Sequence, residues 1–257
     1  MVQFPNASST ELAHSALKIL ALDTSGDCCS AALLIEDQVE QRCEKAPRRH
    51  AELILGMMDE LLLGANLRLN ELDAVAYGRG PGSFTGVRIA AAVAQGVAFG
   101  AGRAVIGVST LAALARAASR QTDRRRIACA LDARMGEIYW GCYRIDDNDV
   151  AIPLDPELVI APEQTPVLAG FGWCGAGSGW AAYPELREQH RSALQPGVEP
   201  APAADDQITI LDCTPEASDI AWLAQAAKNQ ARRPDQAVPI YLRNRVTHVK
   251  SRRGGLG

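Results

Sequence analysis

The segment that most constrains the fold is residues 78–89, GRGPGSFTGVRI, where four glycines and a proline separate an apolar run from an alanine-rich helical pattern. Glycines at these positions allow close backbone approach, and Ser83 or Thr85 can cap the following helix. We therefore predict a strand-to-helix turn. The exposed N–H groups of such a turn suit an anion, but the spacing matches neither common nucleotide fingerprint. A tight turn that packs a helix on a sheet is the competing interpretation.

Hydrophobic periodicity on both sides of this turn predicts alternating strands and helices. Strands are expected at 18–23, 28–36, 39–45, 72–77 and 104–108, and helices at 50–66, 85–101 and 109–118. The predicted order is βββαβαβα, in which helical crossovers bring parallel strands into one sheet. The first half of the chain is therefore expected to be an α/β lobe.

The second half predicts a smaller, incomplete lobe. After three arginines at 124–126, strands are expected at 127–132, 137–145, 158–160 and 166–169, a glycine-rich turn at 171–179, and a helix at about 218–231. The predicted domains are a flexible tail at 1–17, lobes at 18–122 and 123–240, and a basic tail at 241–257. The Pro/Ala/Asp-rich loop at 196–206 is predicted to be disordered. Both lobes begin with a strand pair, which is compatible with duplication.

Composition limits the class of protein. A chain of 257 residues with 47% hydrophobic content can bury one large core or two modest ones. Seven cysteines without a C-x-x-C pair or a Cys/His cluster predict reduced thiols in a cytoplasmic protein. A net charge of −4 argues against a surface that coats nucleic acid, although residues 228–257 hold eight Lys or Arg and one acid. That basic end permits RNA contact, docking on an acidic partner, or simple solvation.

Five separated motifs occur in order along the chain: DTS at 23–25, HAE at 50–52, the glycine turn at 78–89, DARMGEIY at 132–139 and YLRN at 241–244. Together they resemble the TsaB family, also called YeaZ, over nearly the whole chain. The resemblance implies a two-lobe, actin-like or sugar-kinase-like (ASKHA) α/β fold. It also implies a role in making N6-threonylcarbamoyladenosine beside the anticodon of tRNAs that read codons starting with A.

The resemblance further implies a set of partners. TsaD, the subunit that transfers the threonylcarbamoyl group, is the main expected partner, with TsaE as a second and tRNA contacted through the complex. Alone, the chain is expected to form a homodimer. No membrane is expected among its partners. No cofactor is expected on the chain by itself, whereas ATP or ADP and a metal are possible in the assembled complex.

No catalytic residue and no metal site are predicted. TsaD relatives bind a metal through two histidines four apart on a helix, and His14, His50, His190 and His248 include no such pair. The residues expected at a vestigial nucleotide cleft are Asp23, Thr24, Ser25, Gly80, Gly82, Ser83, Asp132, Arg134 and Glu137. Asp23 is interpreted as a turn-capping residue. For the last three residues, a salt-bridged hinge between the lobes competes with a contact to nucleotide or partner.

Two surfaces are predicted for binding. The helix at 85–101 is rich in Ala and Gly, so another helix could approach it closely. The predicted partner interface comprises Met57, Leu61, Val87, Ala90, Ala91, Ala94 and Ala98, and a bulky charged residue at Ala91 or Ala94 is expected to abolish pairing without unfolding the monomer. The predicted tRNA contacts are Arg243, Arg245 and Lys250.

Two other classes of function remain open. The first is an enzyme that binds ATP or cleaves peptides, which would need a nucleophile, a metal or a phosphate-binding lysine. The second is an independent homodimeric binding module. Turnover of ATP or peptide would favour the first, and a homodimer without affinity for TsaD would favour the second.

Overall fold

The computed structural model describes residues 17–195 and 209–243. The predicted tail up to residue 16, the loop at 196–206 and the chain beyond 243 lie outside the described residues. The first lobe contains β1 (Lys18–Asp23), β2 (Cys28–Ile35), β3 (Gln38–Lys45), α1 (His50–Gly64), β4 (Ala74–Gly78), α2 (Phe84–Ala101), β5 (Ala104–Val108) and α3 (Thr110–Thr122). The predicted order βββαβαβα is confirmed.

The five strands form one sheet in the order β3-β2-β1-β4-β5. The hairpins make β1, β2 and β3 antiparallel, whereas the helical crossovers bring β4 parallel to β1 and β5 parallel to β4. The register places Leu22 beside Tyr77 and Gly78 beside Val108. The carboxyl ends of the three parallel strands therefore share one edge of the sheet, where the DTS motif and the glycine turn begin.

The second lobe repeats this architecture. Its elements are β6 (Arg126–Arg134), β7 (Glu137–Ile145), β8 (Ala151–Pro153), β9 (Leu158–Ile160), β10 (Trp173–Ala176), α4 (Gly179–Ala182), α5 (Glu185–Gln189), α6 (Arg191–Leu194), β11 (Ile210–Leu211) and α7 (Ala217–Ala226). Read from its other edge, the strand order β8-β7-β6-β10-β11 matches the order β3-β2-β1-β4-β5 of the first sheet. In addition, β9 pairs with β7. The same order in both sheets supports duplication.

Two predictions for the second lobe are wrong. The lobe is not incomplete in its sheet, which has the strand order of the first sheet, although β8, β9, β11 and the helices α4 to α6 are short. The strand expected at 166–169 does not form, and β10 lies instead inside the segment predicted as a glycine turn. Trp173, Cys174 and Ala176 are buried in β10, and this burial outweighs the turn propensity of the neighbouring glycines.

Three apolar cores separate the layers. α3 and α7 lie between the two sheets in a central core, α1 and α2 cover the outer face of the first sheet, and α4 to α6 cover the outer face of the second. An ion cluster joins α3 to α7: buried Asp219 accepts hydrogen bonds from Arg116 at 2.6 Å and Arg120 at 3.0 Å. A buried carboxylate needs such partners to remain charged.

The end of the described chain returns to the first lobe. α7 begins with a hydrogen bond from Ala217 N to Ser30 Oγ on β2. Arg232 then pairs with Val105 of β5, and Ala237 is buried against the α1 and α2 core. The domain boundary predicted at 240 needs correction because the segment 217–243 packs on the first lobe as well as the second.

Candidate functional site

The DTS motif forms a closed turn at the end of β1. Asp23 is fully buried, and its Oδ1 accepts hydrogen bonds from Ser25 N at 3.0 Å and Ser25 Oγ at 2.8 Å. Its Oδ2 has no hydrogen-bond partner among the described residues. Burial raises the pKa of the Asp23 carboxyl from 3.8 to about 7, against the lowering effect of the Ser25 hydrogen bonds. Asp23 is therefore the predicted turn-capping residue.

The glycine turn packs its backbone directly on this motif. Ser83 N donates to Ser25 O at 2.7 Å, and Thr24 Oγ1 donates to Gly86 O at 2.7 Å. A Cβ on Gly86 would lie 3.0 Å from the Thr24 carbonyl carbon and closer still to its oxygen. Ser83 caps α2, accepting a hydrogen bond from Gly86 N at 3.4 Å. The structure thus favours the tight-turn interpretation over a phosphate cradle.

The residues of the predicted nucleotide cleft do not fit a metal-bound phosphate. The Asp23 carboxyl is buried against Gly78, where a Cβ would lie 3.0 Å from the Asp23 Cγ. The backbone near Gly82 and Ser83 lies against Ser25, and Ser83 N is already bonded to Ser25 O. A buried, partly unsatisfied carboxyl cannot reach a ligand in the cleft.

The second lobe carries a similar turn at the end of β6. Asp132 Oδ1 accepts hydrogen bonds from Arg134 N at 2.8 Å and from Tyr183 Oη at 3.3 Å. The bond from Arg134 N corresponds to the one that Asp23 Oδ1 accepts from Ser25 N, since each donor lies two residues after the aspartate. The exposed Arg134 guanidinium lies 2.9 Å from Asp132 Oδ2, so this pair stays within one hairpin. It does not join the two lobes.

A link between the lobes is formed by Glu137 and Arg243, the second of which was predicted to contact tRNA. Glu137 forms an ion pair with Arg243, which arrives from the first lobe. The hinge predicted for Asp132, Arg134 and Glu137 therefore holds only for Glu137. The structure gives the Arg243 guanidinium an intramolecular partner, and its predicted tRNA contact stays untested. Arg245 and Lys250 lie outside the described residues.

The described histidines have separate surroundings. His50 is buried at the start of α1, and His190 lies 3.0 Å from Thr165 Oγ1 and stacks on Trp140. Burial lowers the pKa of His190. Within residues 17–195 and 209–243, no group of three His, Cys, Asp or Glu side chains is placed to hold a metal ion. The expectation that no metal binds stays a prediction.

The predicted interface residues face the wrong way. All seven are buried, and all except Val87 belong to the core between the α1–α2 pair and the first sheet: Met57, Leu61, Val87, Ala90, Ala91, Ala94 and Ala98. A charged residue at Ala91 or Ala94 would therefore unfold the lobe rather than only prevent pairing, which corrects the earlier expectation. Both faces of α2 are small and apolar, so periodicity does not distinguish the face that packs on the sheet.

The opposite face of the same helices is exposed, and its apolar residues lie beside the polar Glu52, Asp59, Glu60 and Gln95. Leu63 of α1 is 79% exposed and Phe99 of α2 is 80% exposed. We define the α1–α2 face by its exposed residues Leu55, Gly56, Leu63, Ala92, Gly96, Phe99 and Gly100. A Cβ added at Gly96 or Gly100 would meet no described atom within 4 Å. Exposed aromatic and aliphatic side chains beside open glycines suit a helix-to-helix contact.

Helix α2 is also long and apolar enough to cross a membrane by length and composition. Its inner face, however, packs on the first sheet through Ala90, Ala94 and Ala98. The core helix of a water-soluble protein meets the same length and composition test, so the match carries little weight.

Known proteins are similar to this chain in sequence and in architecture. Residues 40–164 match the family model TsaD: tRNA N6-adenosine threonylcarbamoyltransferase. The tRNA threonylcarbamoyladenosine biosynthesis protein TsaB of Escherichia coli is 38% identical over 238 residues, which cover 91% of this chain and 98% of that protein. The TsaB of Haemophilus influenzae is 38% identical over 244 residues, covering 91% and 97%. The solved structure of YeaZ from Pseudomonas aeruginosa is 40% identical, with a TM-score of 0.75, covering 88% of this chain and all of that one.

The two sheets have the same strand order, and α3 and α7 lie between them. This arrangement defines the class of two-lobe, actin-like proteins related to TsaD. At the end of β1 the glycine turn packs its backbone on the DTS motif. Within that class, the chain belongs to the TsaB family. The family predicted from the five sequence motifs is confirmed.

Proposed function

We propose that this chain is a non-catalytic subunit of the cytoplasmic system that makes N6-threonylcarbamoyladenosine in tRNA, and that it acts by binding TsaD. The pathway is supported by its similarity to the tRNA threonylcarbamoyladenosine biosynthesis proteins TsaB of two bacteria. The observation that carries the binding role is the exposure of large apolar side chains on the α1–α2 face, above all Leu63 and Phe99. Exposed apolar side chains that lie together on a surface mark interaction sites.

The composition of this face suits a tight contact. The exposed stripe of α2 between residues 88 and 100 holds a single charged residue, Arg88, at its start. Gly96 and Gly100 leave space for a partner backbone, and Phe99 lies between them. Aromatic side chains near the centre of an interface contribute a large share of its binding free energy. The α1–α2 face therefore combines space for a helix with an anchor residue.

A TsaD partner is favoured by relatedness. The match to the TsaD family model spans both α1 and α2. A TsaD chain is therefore expected to carry an equivalent helix pair, and two such pairs can pack on each other about an approximate two-fold axis. The same argument supports a homodimer in the absence of TsaD. The homodimer is the second candidate assembly because it would use the same surface.

The cleft favours a non-catalytic role over the two enzymatic alternatives. An ATPase needs an accessible phosphate site, whereas Asp23 is buried and the glycine turn packs on Ser25. A peptidase needs an activated nucleophile or a metal. We propose that the chain alone binds no cofactor, and that ATP or ADP with a metal binds only in the assembled complex. Binding of TsaE, and tRNA contact by Arg245 and Lys250, belong to the same proposal.

Light scattering after size-exclusion chromatography tests the central step. The full chain is run alone and mixed with TsaD from the same cell. A new species with the mass of a heterodimer is the expected result. Two unchanged peaks would contradict the TsaD role and favour the independent homodimer.

The variant Phe99→Asp is expected to weaken TsaD binding about 100-fold or more, because it places a charge at the centre of the apolar contact. Phe99 is largely exposed in the monomer, so the melting temperature should not change. Isothermal titration calorimetry with TsaD measures the effect. The control is Phe171→Asp, the same substitution at an exposed phenylalanine of the second lobe. Equal affinity of the two variants would place the interface elsewhere.

A further inference from the structure

Residues 237–243, which we call the strap, connect the two lobes beside the cleft. On the first lobe, Tyr77 Oη donates to Val238 O at 3.1 Å and Ile240 N donates to Arg79 O at 2.7 Å. A Cβ on Gly80 would lie 3.0 Å from Ile240 O, and Gly80 itself has a φ of +100°. Main-chain atoms of the strap therefore bond to the end of β4 and contact the glycine turn.

The strap reaches the second lobe through Arg243. Its Nη2 donates to Ala133 O at 3.2 Å, to Arg134 O at 3.3 Å and to the Glu137 carboxylate, and its Nη1 lies 3.6 Å from Met135 Sδ. The Arg243 side chain is 18% exposed. A planar guanidinium can satisfy several acceptors at once, which the ammonium of lysine cannot do in the same geometry.

The hairpin that receives Arg243 has an unusual backbone. Arg134, Met135 and Gly136 have φ values of 64°, 61° and 78°. Two consecutive non-glycine residues in the left-handed region are unfavourable unless their surroundings hold them there. The carbonyls at 133 and 134 both accept hydrogen bonds from Arg243. The guanidinium thus stabilises this hairpin conformation.

The strap also completes an exposed aromatic patch. The ring of Tyr241 lies 6.0 Å from that of Phe84, and the Arg88 guanidinium lies 3.2 Å from the Phe84 centroid and 5.2 Å from the Tyr241 centroid. Phe84 and Tyr241 are 63% and 46% exposed. Arg88 belongs to the same exposed stripe of α2 as Ala92. Tyr, Phe and Arg are enriched in protein interfaces, so the patch extends the α1–α2 face.

A cavity of about 510 Å³ lies against the strap. Ile240 and Leu242 form one wall, Arg79 another, and the loop at 153–157 of the second lobe the third. The strap therefore closes one side of a space between the lobes. Its displacement would open this space and remove Tyr241 from the patch.

We infer that Arg243 anchors a tie between the lobes and acts as a positioning residue that holds Tyr241 in the partner-binding face. The second half of this inference rests on the proposed function, because it concerns affinity for TsaD. Arg243 acts through Tyr241 and need not touch the partner.

The tie is tested by hydrogen exchange on the full chain. Arg243→Ala is expected to accelerate exchange of the Ile240 amide at least tenfold and to raise exchange at 133–137, with β1 and β4 unchanged. Arg243→Lys should fall between this variant and the native chain. The control is Arg233→Ala, which removes an exposed ion pair with Asp235 near the strap. Unchanged exchange at Ile240 in Arg243→Ala would overturn the tie.

The positioning role is tested by calorimetry with TsaD and a double-mutant cycle. Tyr241→Ala and Arg243→Ala are each expected to weaken binding about tenfold. The double variant should bind TsaD with an affinity no lower than that of the less tightly binding single variant. A multiplied, roughly hundredfold loss would show that Arg243 acts independently, for example on the partner directly, and would overturn the positioning role. If the native chain fails to bind TsaD, the proposed function and this second half both fail, whereas hydrogen exchange still decides the tie.

Discussion

Replacing Gly86 by alanine is expected to destabilise the first lobe by about 4 kcal/mol or more, a large share of the roughly 5–15 kcal/mol that holds a domain folded. The new methyl group would lie 3.0 Å from the Thr24 carbonyl carbon, closer still to its oxygen, and 3.3 Å from Ser25 Cα. These are backbone atoms, so relief requires α2 to move away from β1. Urea unfolding followed by circular dichroism measures the loss.

Gly100→Ala is the matched control in the same helix. A Cβ at that position meets no described atom within 4 Å, and alanine favours the helix over glycine, so stability should rise by up to about 1 kcal/mol. If Gly86→Ala were as stable as Gly100→Ala, the close packing of the glycine turn on the DTS motif would be wrong.

The variant Asp23→Asn is expected to be more stable than the native chain at pH 8 by up to about 4 kcal/mol, and to lose this advantage in acid. Burial raises the pKa of Asp23 from 3.8 to about 7. Below pH 3.8 both the folded and unfolded states carry the proton, so the group has no effect. Between pH 3.8 and about 7 only the unfolded state ionises, and stability falls as pH rises, by about 1.4 kcal/mol for each pH unit. Above about pH 7 the loss is complete.

Urea midpoints of both proteins between pH 5 and pH 8 measure this linkage. Asparagine keeps an oxygen for the two donors of Ser25, so the turn itself should persist. The control is Asp27→Asn, the same substitution at an exposed aspartate of the same turn. A native chain whose stability relative to Asp23→Asn is constant across this range would show that Asp23 is not protonated by burial.

Sequence reasoning succeeded where local pattern and burial agree. The short apolar runs of β1, β2 and β4 and the caps at Ser83 and Ser109 led to the correct order of elements in the first lobe. The second lobe was harder because β8 to β11 have two to four residues and α4 to α6 have four or five. Short elements give weak periodicity, and β10 forms through its burial between neighbours.

The candidate sites illustrate a different limit. The sequence analysis assigned Ala91 and Ala94 of α2 to an interface, but both are buried, whereas Phe99 of the same helix is exposed. A helix with two apolar faces has no polar side to identify solvent. The one available signal was Phe99 itself, a large aromatic residue on an otherwise alanine-rich helix.

By itself the sequence determined the family, the order of elements in the first lobe and the turn chemistry at Asp23, because these depend on residues close together in the chain. The tertiary structure alone decided which face of α2 meets solvent, how the DTS motif is closed by the glycine turn, and that Arg243 binds a hairpin 106 residues earlier at Glu137. Those outcomes depend on contacts between distant segments, since burial and hydrogen bonding are satisfied only after both sheets have assembled.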